Sequence, residues 1–152
     1  MAEGTEARIA ALGIRLLALP APGGNYLSAR TLGQMVYLAG VISTSESGVI
    51  TGTVGLDRSI EEGYAAARAC ALMHLAVLQR HLGTLDAVKS IVGVNGYVNA
   101  VAGFADSPKV INGASDLLVE IFGDAGRHVR AAIGVSALPR NALVELQMTV
   151  EI

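Results

Sequence analysis

The side chains that could do chemistry in this sequence are few. His74, His81, His128 and the single Cys70 provide all of its imidazole and thiol groups. They lack the number and the spacing of a zinc site, so we expect no bound metal. Cys70 lies among alanines in a predicted helix, where we expect a small buried side chain and not a nucleophile. We interpret His74, on the same helix, as a packing or interface residue.

Glycine and serine motifs point to no further chemistry. The 18 glycines form neither the strand-to-helix dinucleotide fingerprint nor a glycine loop that ends in Lys-Ser/Thr. A Gly-x-Ser-x-Gly nucleophile elbow is also missing. The sequence therefore predicts neither a cradle for nucleotide phosphates nor a serine nucleophile.

A basic and an acidic residue near the C-terminus stand in two predicted strands. Arg130 lies in a strand over 129–135, and Glu145 follows fifteen residues later in a strand over 143–152. If these strands pair across a turn at 138–141, the two side chains lie near the same end of a hairpin. That placement fits an ordinary cross-strand ion pair, worth ~0.2–1 kcal/mol. It also fits two charged groups of a binding pocket, and the spacing leaves both interpretations open.

The elements that must position these groups follow from hydrophobic periodicity and turn residues. A strand is favoured around residues 35–38, Met-Val-Tyr-Leu, which suit a pleated, partly buried surface. In the first third of the chain we predict a helix over 3–12, strands over 14–19, 26–42 and 49–53, a loop over 20–25 and a polar turn over 43–48.

Two helices are predicted further along. Ser59 and Glu62 form a capping box, which begins a long amphipathic helix that ends at Gly83. Residues 88–98 follow as a strand whose apolar character suggests cover on both faces.

The second helix begins with Ser107 as N-cap and Pro108 in the first position, and it ends at Gly123. The order of strands, helix, strand, helix and strands predicts an α+β sheet with both helices on one face. The 152 residues suit one domain, 1–152.

Composition limits the class of protein. The chain is 52% hydrophobic and 16% charged, with a mean hydropathy of +0.51, whereas soluble chains typically have ~25% charged residues. Because no stretch of ~20 apolar residues is present, we expect no membrane span and place the surplus of apolar surface in a homo-oligomer interface.

Charge and cysteine content limit the partners and the location. A formal charge of −2 without a basic run argues against the binding of nucleic acid. One cysteine and no secretory pattern predict a cytoplasmic protein.

Residues 130–145, Arg-Ala-Ala-Ile-Gly-Val-Ser-Ala-Leu-Pro-Arg-Asn-Ala-Leu-Val-Glu, resemble the signature of the RidA/YjgF family, also known as endoribonuclease L-PSP. In that signature an Arg opens one strand, Leu-Pro turns the chain and Val-Glu lies on the next strand. Tyr26, fourteen residues before Gly40, fits the family tyrosine, and Asn112 fits the asparagine at the start of the second helix. The resemblance covers about residues 14–152 and points to a divergent subgroup.

The resemblance implies a chorismate-mutase-like α+β fold with a mixed sheet, and a homotrimer with clefts at the subunit interfaces. Family members hydrolyse reactive enamines and imines, such as 2-aminoacrylate, to 2-oxo acids and ammonia without a cofactor. Carried over, Arg130 would clamp the substrate carboxylate, since guanidinium is a planar fork. Glu145 would hold and polarise the attacking water. The remaining pocket positions that the resemblance implies are Tyr26, Gly40, Asn112 and Ala132.

The sequence also departs from the family pattern. Ala132 replaces a common cysteine, residues 39–41 are Ala-Gly-Val where Ser/Thr-Gly-Gln is common, and Gln147 replaces a second glutamate. These changes predict a more apolar pocket. Three functions therefore remain: an enamine or imine hydrolase, a non-catalytic module that binds a small carboxylate or 2-oxo acid, and an endoribonuclease, which the net charge disfavours.

Overall fold

The computed structural model describes residues 4–19 and 22–152. Short 3-10 turns occupy Leu85–Ala87, Gly123–Gly126 and Pro139–Asn141. In chain order, the helices and strands of the described residues are α1 (Thr5–Ala11), β1 (Ala29–Leu32), β2 (Met35–Leu38), β3 (Val41–Ile42), β4 (Thr44–Ser45), β5 (Gly48–Val49), α2 (Ile60–Leu82), β6 (Ser90–Asn99), α3 (Ser107–Phe122), β7 (Val129–Val135) and β8 (Val144–Glu151).

The main sheet has the strand order β1-β2-β8-β6-β7, and β3 pairs with the first residues of β8. β6 and β7 run parallel, and the other neighbours are antiparallel. The sheet is therefore mixed and the fold is α+β, as predicted. Burial alternates strictly along β8. Every second side chain is fully buried and the residues between are not; the buried ones are Val144, Leu146, Met148 and Val150. One face of the sheet is thus covered.

The helices α2 and α3 cover that face and pack against each other. α2 contacts β8, and α3 contacts β6 and β7. A glycine allows the close approach of the two helices, since a Cβ atom at Gly113 would collide with the backbone carbonyl of Tyr64. On the opposite face, called the open face below, Tyr37, Val129 and Ile133 are exposed.

The predicted limits of α2 are confirmed. Ser59 Oγ accepts a hydrogen bond from the Glu62 amide at 3.1 Å, and Glu62 Oε1 accepts one from the Ser59 amide at 3.1 Å. Gly83 ends the helix with φ 83°, a conformation that glycine adopts without strain. Among the described residues, no helix is long and apolar enough to cross a membrane.

The start of α3 differs from the prediction by one residue. Ser107 is the first helical residue and Asp106 is the N-cap, which makes no side-chain capping hydrogen bond. Ser107 is buried and its hydroxyl has no hydrogen-bond partner in the part of the chain that the structure describes, so it does not act as the cap. Gly123 ends the helix with φ 62°, as expected.

The N-terminal strand predictions are partly wrong. The helix over 3–12 is confirmed for residues 5–11, with residue 3 outside the described part. Residues 14–19 form no strand and instead pack partly buried against the core as an irregular segment. Of the loop over 20–25, residues 20 and 21 lie outside the described part, and 22–25 include bends.

The long strand predicted over 26–42 is divided into β1, β2 and β3. The break comes at Gly33, whose φ of 61° makes the turn between β1 and β2. The polar turn over 43–48 contains β4 and the first residue of β5, and of the strand predicted over 49–53 only Val49 lies in β5. Local turn residues thus shorten strands that hydrophobicity alone had extended.

The predicted hairpin between the last two strands is wrong. Within residues 4–19 and 22–152, β7 pairs only with β6, and β6 lies between β7 and β8. The cause is the crossover through α3, which returns the chain parallel to β6 at the sheet edge and leaves the other side of β6 for β8. The expectation that β6 is covered on both faces is also wrong within one chain, because Val92 and Asn95 are exposed.

Candidate functional site

Arg130 lies near the start of β7, at the edge of the sheet. It is in register with Val94 of β6, which is in register with Met148 of β8. Because both of those side chains are buried beneath the helices, Arg130 leaves the strand on the helical side. Its Nη1 donates hydrogen bonds to Asn112 Oδ1 at 2.7 Å and to Ser115 Oγ at 3.1 Å. Within the described part of the chain, no carboxylate forms an ion pair with this exposed cation.

The residues that hold Arg130 come from α3 and from the segment before β7. Asn112 and Ser115 are three residues apart, which places them on one face of the helix. Ser115 Oγ lies 2.9 Å from His128 Nε2, and His128 Nδ1 lies 2.7 Å from the carbonyl oxygen of Gly126. A continuous chain of hydrogen bonds therefore connects the carbonyl group of Gly126, in the 3-10 turn after α3, to the Arg130 guanidinium.

Glu145 lies on β8, in register with Tyr97 of β6 and Ile42 of β3. Burial alternates along β8, and the residues on either side of Glu145 are buried beneath the helices. The Glu145 side chain therefore projects from the open face. Partial burial raises the pKa of its carboxyl, because low polarity disfavours the charged form. A Cβ atom at Gly40 would lie only 2.8 Å from Glu145 Oε2. Glycine at position 40 thus leaves room for a carboxyl that is suited to proton transfer.

Cys70 and His74 lie behind this strand and are fully buried. The Cys70 Sγ is 3.6 Å from the Val144 carbonyl oxygen, and burial raises the pKa of the thiol. His74 Nε2 donates to the Leu146 carbonyl oxygen at 2.7 Å, while its Nδ1 has no hydrogen-bond partner among the described residues. Burial lowers the pKa of His74 to about 4. The packing role predicted for both residues is confirmed.

Arg130 and Glu145 are not brought together within one chain. Their strands are separated by β6, where their register partners Val94 and Tyr97 are three residues apart. The separation is ~10 Å across the sheet and ~10 Å along it, and the two side chains leave opposite faces. The predicted position at the same end of a hairpin is wrong, and a cross-strand ion pair is excluded with it.

The other implied pocket residues fall into separate groups. Asn112 contacts Arg130, and Gly40 lies against Glu145. Ala132 follows Arg130 on β7 and packs partly buried against the core. Tyr26 precedes β1, at the opposite edge of the sheet from β7, and is 52% exposed. The candidate residues therefore form two separate groups in one chain, called below the Arg130 half-site, with Asn112, and the Glu145 half-site, with Gly40.

The sequence prediction missed Ser115 and His128 as site residues. Two signals were present in the spacing. Ser115 lies three residues after Asn112 in a predicted helix, which places both on one helix face. His128 lies two residues before Arg130, just ahead of the predicted strand, and this spacing places the two on one side if the chain is already extended there.

Comparison with known sequences identifies relatives over almost the whole chain. Residues 6–152 match the family model described as "YjgF/chorismate mutase-like, putative endoribonuclease". Protein TCP17 from Trypanosoma cruzi is 42% identical over 148 residues, which cover 96% of this chain and 92% of that protein.

Solved structures share the fold. The Atu1372 protein from Agrobacterium tumefaciens, of unknown function, is 35% identical with a TM-score of 0.87, over 97% of this chain and 91% of that one. A "putative endoribonuclease" from Shewanella oneidensis is 33% identical with a TM-score of 0.93, over 99% and 100%. RidA from an Antarctic Psychrobacter is 22% identical with a TM-score of 0.61, over 88% and 93%, which supports the fold alone. Since the family model and a 42% identical relative both span nearly the whole chain, this protein belongs to the RidA/YjgF family.

Proposed function

We propose that this protein binds a small carboxylate-bearing enamine or imine on Arg130 and hydrolyses it to a 2-oxo acid and ammonia. The observation that supports this most directly is the hydrogen bonding of the Arg130 guanidinium. Both hydrogens of its Nη1 are engaged by Asn112 and Ser115, so the Nε and Nη2 edge of the guanidinium is the part left to receive a ligand. That edge carries two parallel donors, which match the two oxygens of a carboxylate.

In the proposed reaction the iminium carbon next to the carboxylate is the electrophile. An enamine first takes a proton on its β-carbon and becomes the iminium. Water then adds to the iminium carbon while Glu145 accepts a proton from that water, and Glu145 returns this proton to the nitrogen. The carbinolamine then expels ammonia and releases its hydroxyl proton to solvent, which leaves the ketone of the 2-oxo acid. The raised pKa of Glu145 suits a group that takes up a proton and returns it. The substrate is already electrophilic, so the reaction needs no cofactor.

The proposal requires a second copy of the chain, because the side chains of Arg130 and Glu145 project from opposite faces of one sheet. In a homotrimer, the Glu145 half-site of one copy would face the Arg130 half-site of its neighbour, and Tyr26 would reach the cleft from a neighbouring copy. The open face supports such an assembly, since large apolar side chains are exposed on it, with Val129 at 75% and Ile133 at 51%. Obligate oligomer interfaces have this apolar character.

A second candidate is a non-catalytic module that binds a 2-oxo acid or another small carboxylate in the same cleft. It is favoured by Ala132 and Val41, which stand where polar residues are common in the family and which leave the Arg130 anchor unchanged. An endoribonuclease, as in the descriptions of the family and of the Shewanella protein, is disfavoured by the net charge of −2.

The test is the rate of ammonia release from imines that an amino-acid oxidase generates in situ. We expect the wild-type protein to accelerate it, and Arg130→Ala and Glu145→Gln to return it to the rate in buffer. Arg127→Ala is the matched control, because this exposed arginine is already paired with Asp124. Ligand binding is measured in parallel as thermal stabilisation by 2-oxo acids.

The outcomes separate the candidates. Stabilisation that depends on Arg130 without any acceleration of ammonia release identifies the binding module. If wild type and Arg130→Ala behave alike in both assays, the carboxylate site is refuted.

A further inference from the structure

The hydrogen bonds behind Arg130 run in a single direction. The Gly126 carbonyl oxygen can only accept, so His128 Nδ1, 2.7 Å away, must carry a proton. In a neutral imidazole the Nε2 atom is then an acceptor, and the Ser115 hydroxyl, 2.9 Å away, must donate to it. The lone pairs of Ser115 Oγ remain to accept from Arg130 Nη1 at 3.1 Å. Each link fixes the direction of the next.

We propose that His128 and Ser115 are positioning residues, forming a hydrogen-bond relay that orients the Arg130 guanidinium and so determines how tightly the site holds a carboxylate. This inference rests on the proposed function of Arg130 as a carboxylate anchor. An arginine side chain has a long flexible stem, and a bidentate hydrogen bond forms only when the guanidinium plane is aligned with its ligand. The relay supplies that alignment before the ligand arrives.

The origin of the relay is fixed in space. Gly126 is buried at the end of a 3-10 turn, and a Cβ atom there would collide with the carbonyl of Leu118 in α3. The position of its carbonyl oxygen is therefore set by the packing of the chain against α3. Orientation passes from this rigid backbone group through one imidazole and one hydroxyl to the guanidinium.

A serine hydrogen-bonded to a histidine also resembles a nucleophile with its base, but the geometry favours positioning. The Arg130 cation donates a hydrogen bond into the Ser115 oxygen, and this withdraws electron density from the atom that would have to attack. The same contact orients the arginine. The geometry therefore suits Ser115 to orient Arg130 and not to act as a nucleophile.

Two substitutions of His128 test the relay as a matched pair. In His128→Gln the longer side chain places an amide at the Nε2 position, where its Oε1 can accept from Ser115. In His128→Asn the amide reaches only the Nδ1 position, so the link to Gly126 is kept and the link to Ser115 is lost. Ser115→Ala removes the link to the guanidinium directly, and Ser115→Thr retains the hydroxyl.

The readout is the Kd of a 2-oxo acid, measured by calorimetry. We expect His128→Asn and Ser115→Ala to weaken binding about tenfold, as for the loss of one hydrogen bond to a charged group. His128→Gln and Ser115→Thr should stay within about threefold of wild type, and the double variant Ser115→Ala/His128→Asn should bind no more weakly than Ser115→Ala, since both act through one relay. Wild-type affinity in His128→Asn, or additive losses in the double variant, would overturn the relay.

A second readout needs no ligand. Nitrogen-15 NMR of the histidine ring should show His128 with its proton on Nδ1, and Ser115→Ala should shift the Nε2 resonance and speed the rotation of the Arg130 guanidinium. A proton on Nε2 instead would overturn the proposal. If wild type does not bind 2-oxo acids at all, the proposed function fails while these spectra still decide whether the relay exists.

Discussion

The two hydrogens of Arg130 Nη1 are already hydrogen-bonded to Asn112 and Ser115 of α3. Holding a cation with neutral acceptors keeps its charge, whereas an acidic partner would neutralise it and compete with the ligand. Asn112 and Ser115 therefore direct the guanidinium without reducing its attraction for an anion. The chemistry of these two partners, more than the arginine itself, distinguishes this arrangement from a surface ion pair.

The raised pKa of Glu145 leads to a prediction about pH. Burial holds this pKa above the ordinary value of 4.5, and only the deprotonated carboxylate can accept a proton from water. The kcat for imine hydrolysis should therefore fall as the pH is lowered, with an inflection above 4.5, in a pH-rate profile. The control Glu151→Gln, on the same strand and face, should retain that inflection. An inflection at or below 4.5 would rule out Glu145 as the base.

His74 leads to a prediction about stability. Its folded-state pKa of about 4 lies below the ordinary 6.5, so between these values the unfolded chain binds a proton that the folded chain does not. The free energy of unfolding should therefore decrease as the pH falls from 6.5 to 4, by up to ~3 kcal/mol from this residue. His74→Gln, which can still donate to Leu146, should lose less over the same range in urea titrations. Equal losses in both proteins would contradict this.

Among the elements, the contact between α2 and α3 depends on a single glycine. Gly113→Ala improves helix propensity by up to ~1 kcal/mol, yet its methyl group would meet the Tyr64 carbonyl of α2. We expect the helices to be forced apart and the melting temperature to fall by several degrees, as for other overpacked sites. The control Gly23→Ala, whose added Cβ has no atom of the described residues within 4 Å, should melt within about a degree of wild type. An unchanged melting temperature in Gly113→Ala would refute the close contact.

Elements with local signals were predictable from the sequence. The capping box of Ser59 and Glu62 and the terminal Gly83 act within one or two turns of α2, and all were identified. Sheet order was not predictable, because β6 and β8 pair residues that are 46 to 61 positions apart, such as Val98 with Val144 and Ser90 with Glu151. The turn before β8 resembles a hairpin turn, but the crossover through α3 decides which strand β7 meets.

The candidate site shows the same division. Arg130, Asn112 and Glu145 were identified from their resemblance to a family signature, and the contact between the first two is present. Ser115 and His128 were missed because no short motif contains them; they meet only after α3 has packed beside β7. Strand order also decides that Glu145 belongs to a different half-site from Arg130.

At the scale of the whole molecule, the two half-sites predict complementation between inactive variants. If each cleft takes Arg130 from one copy and Glu145 from another, then unfolding and refolding an equal mixture of Arg130→Ala and Glu145→Gln chains should restore about a quarter of the wild-type ammonia release, the fraction of clefts with both residues intact. Each variant refolded alone is the control. A mixture as inactive as the separate variants would mean that no cleft combines two chains in this way.

The position of β8 also bears on how the chain is synthesised. This strand comes last in chain order, yet it lies between β2 and β6 and joins the two parts of the sheet. While a ribosome is still adding residues 144–151, the β1–β2 pair and the β6–α3–β7 unit are two fragments with unpaired edges. The sheet can close only after these residues leave the exit tunnel, and a stop codon before residue 144 would leave the two fragments with edges that are prone to aggregation.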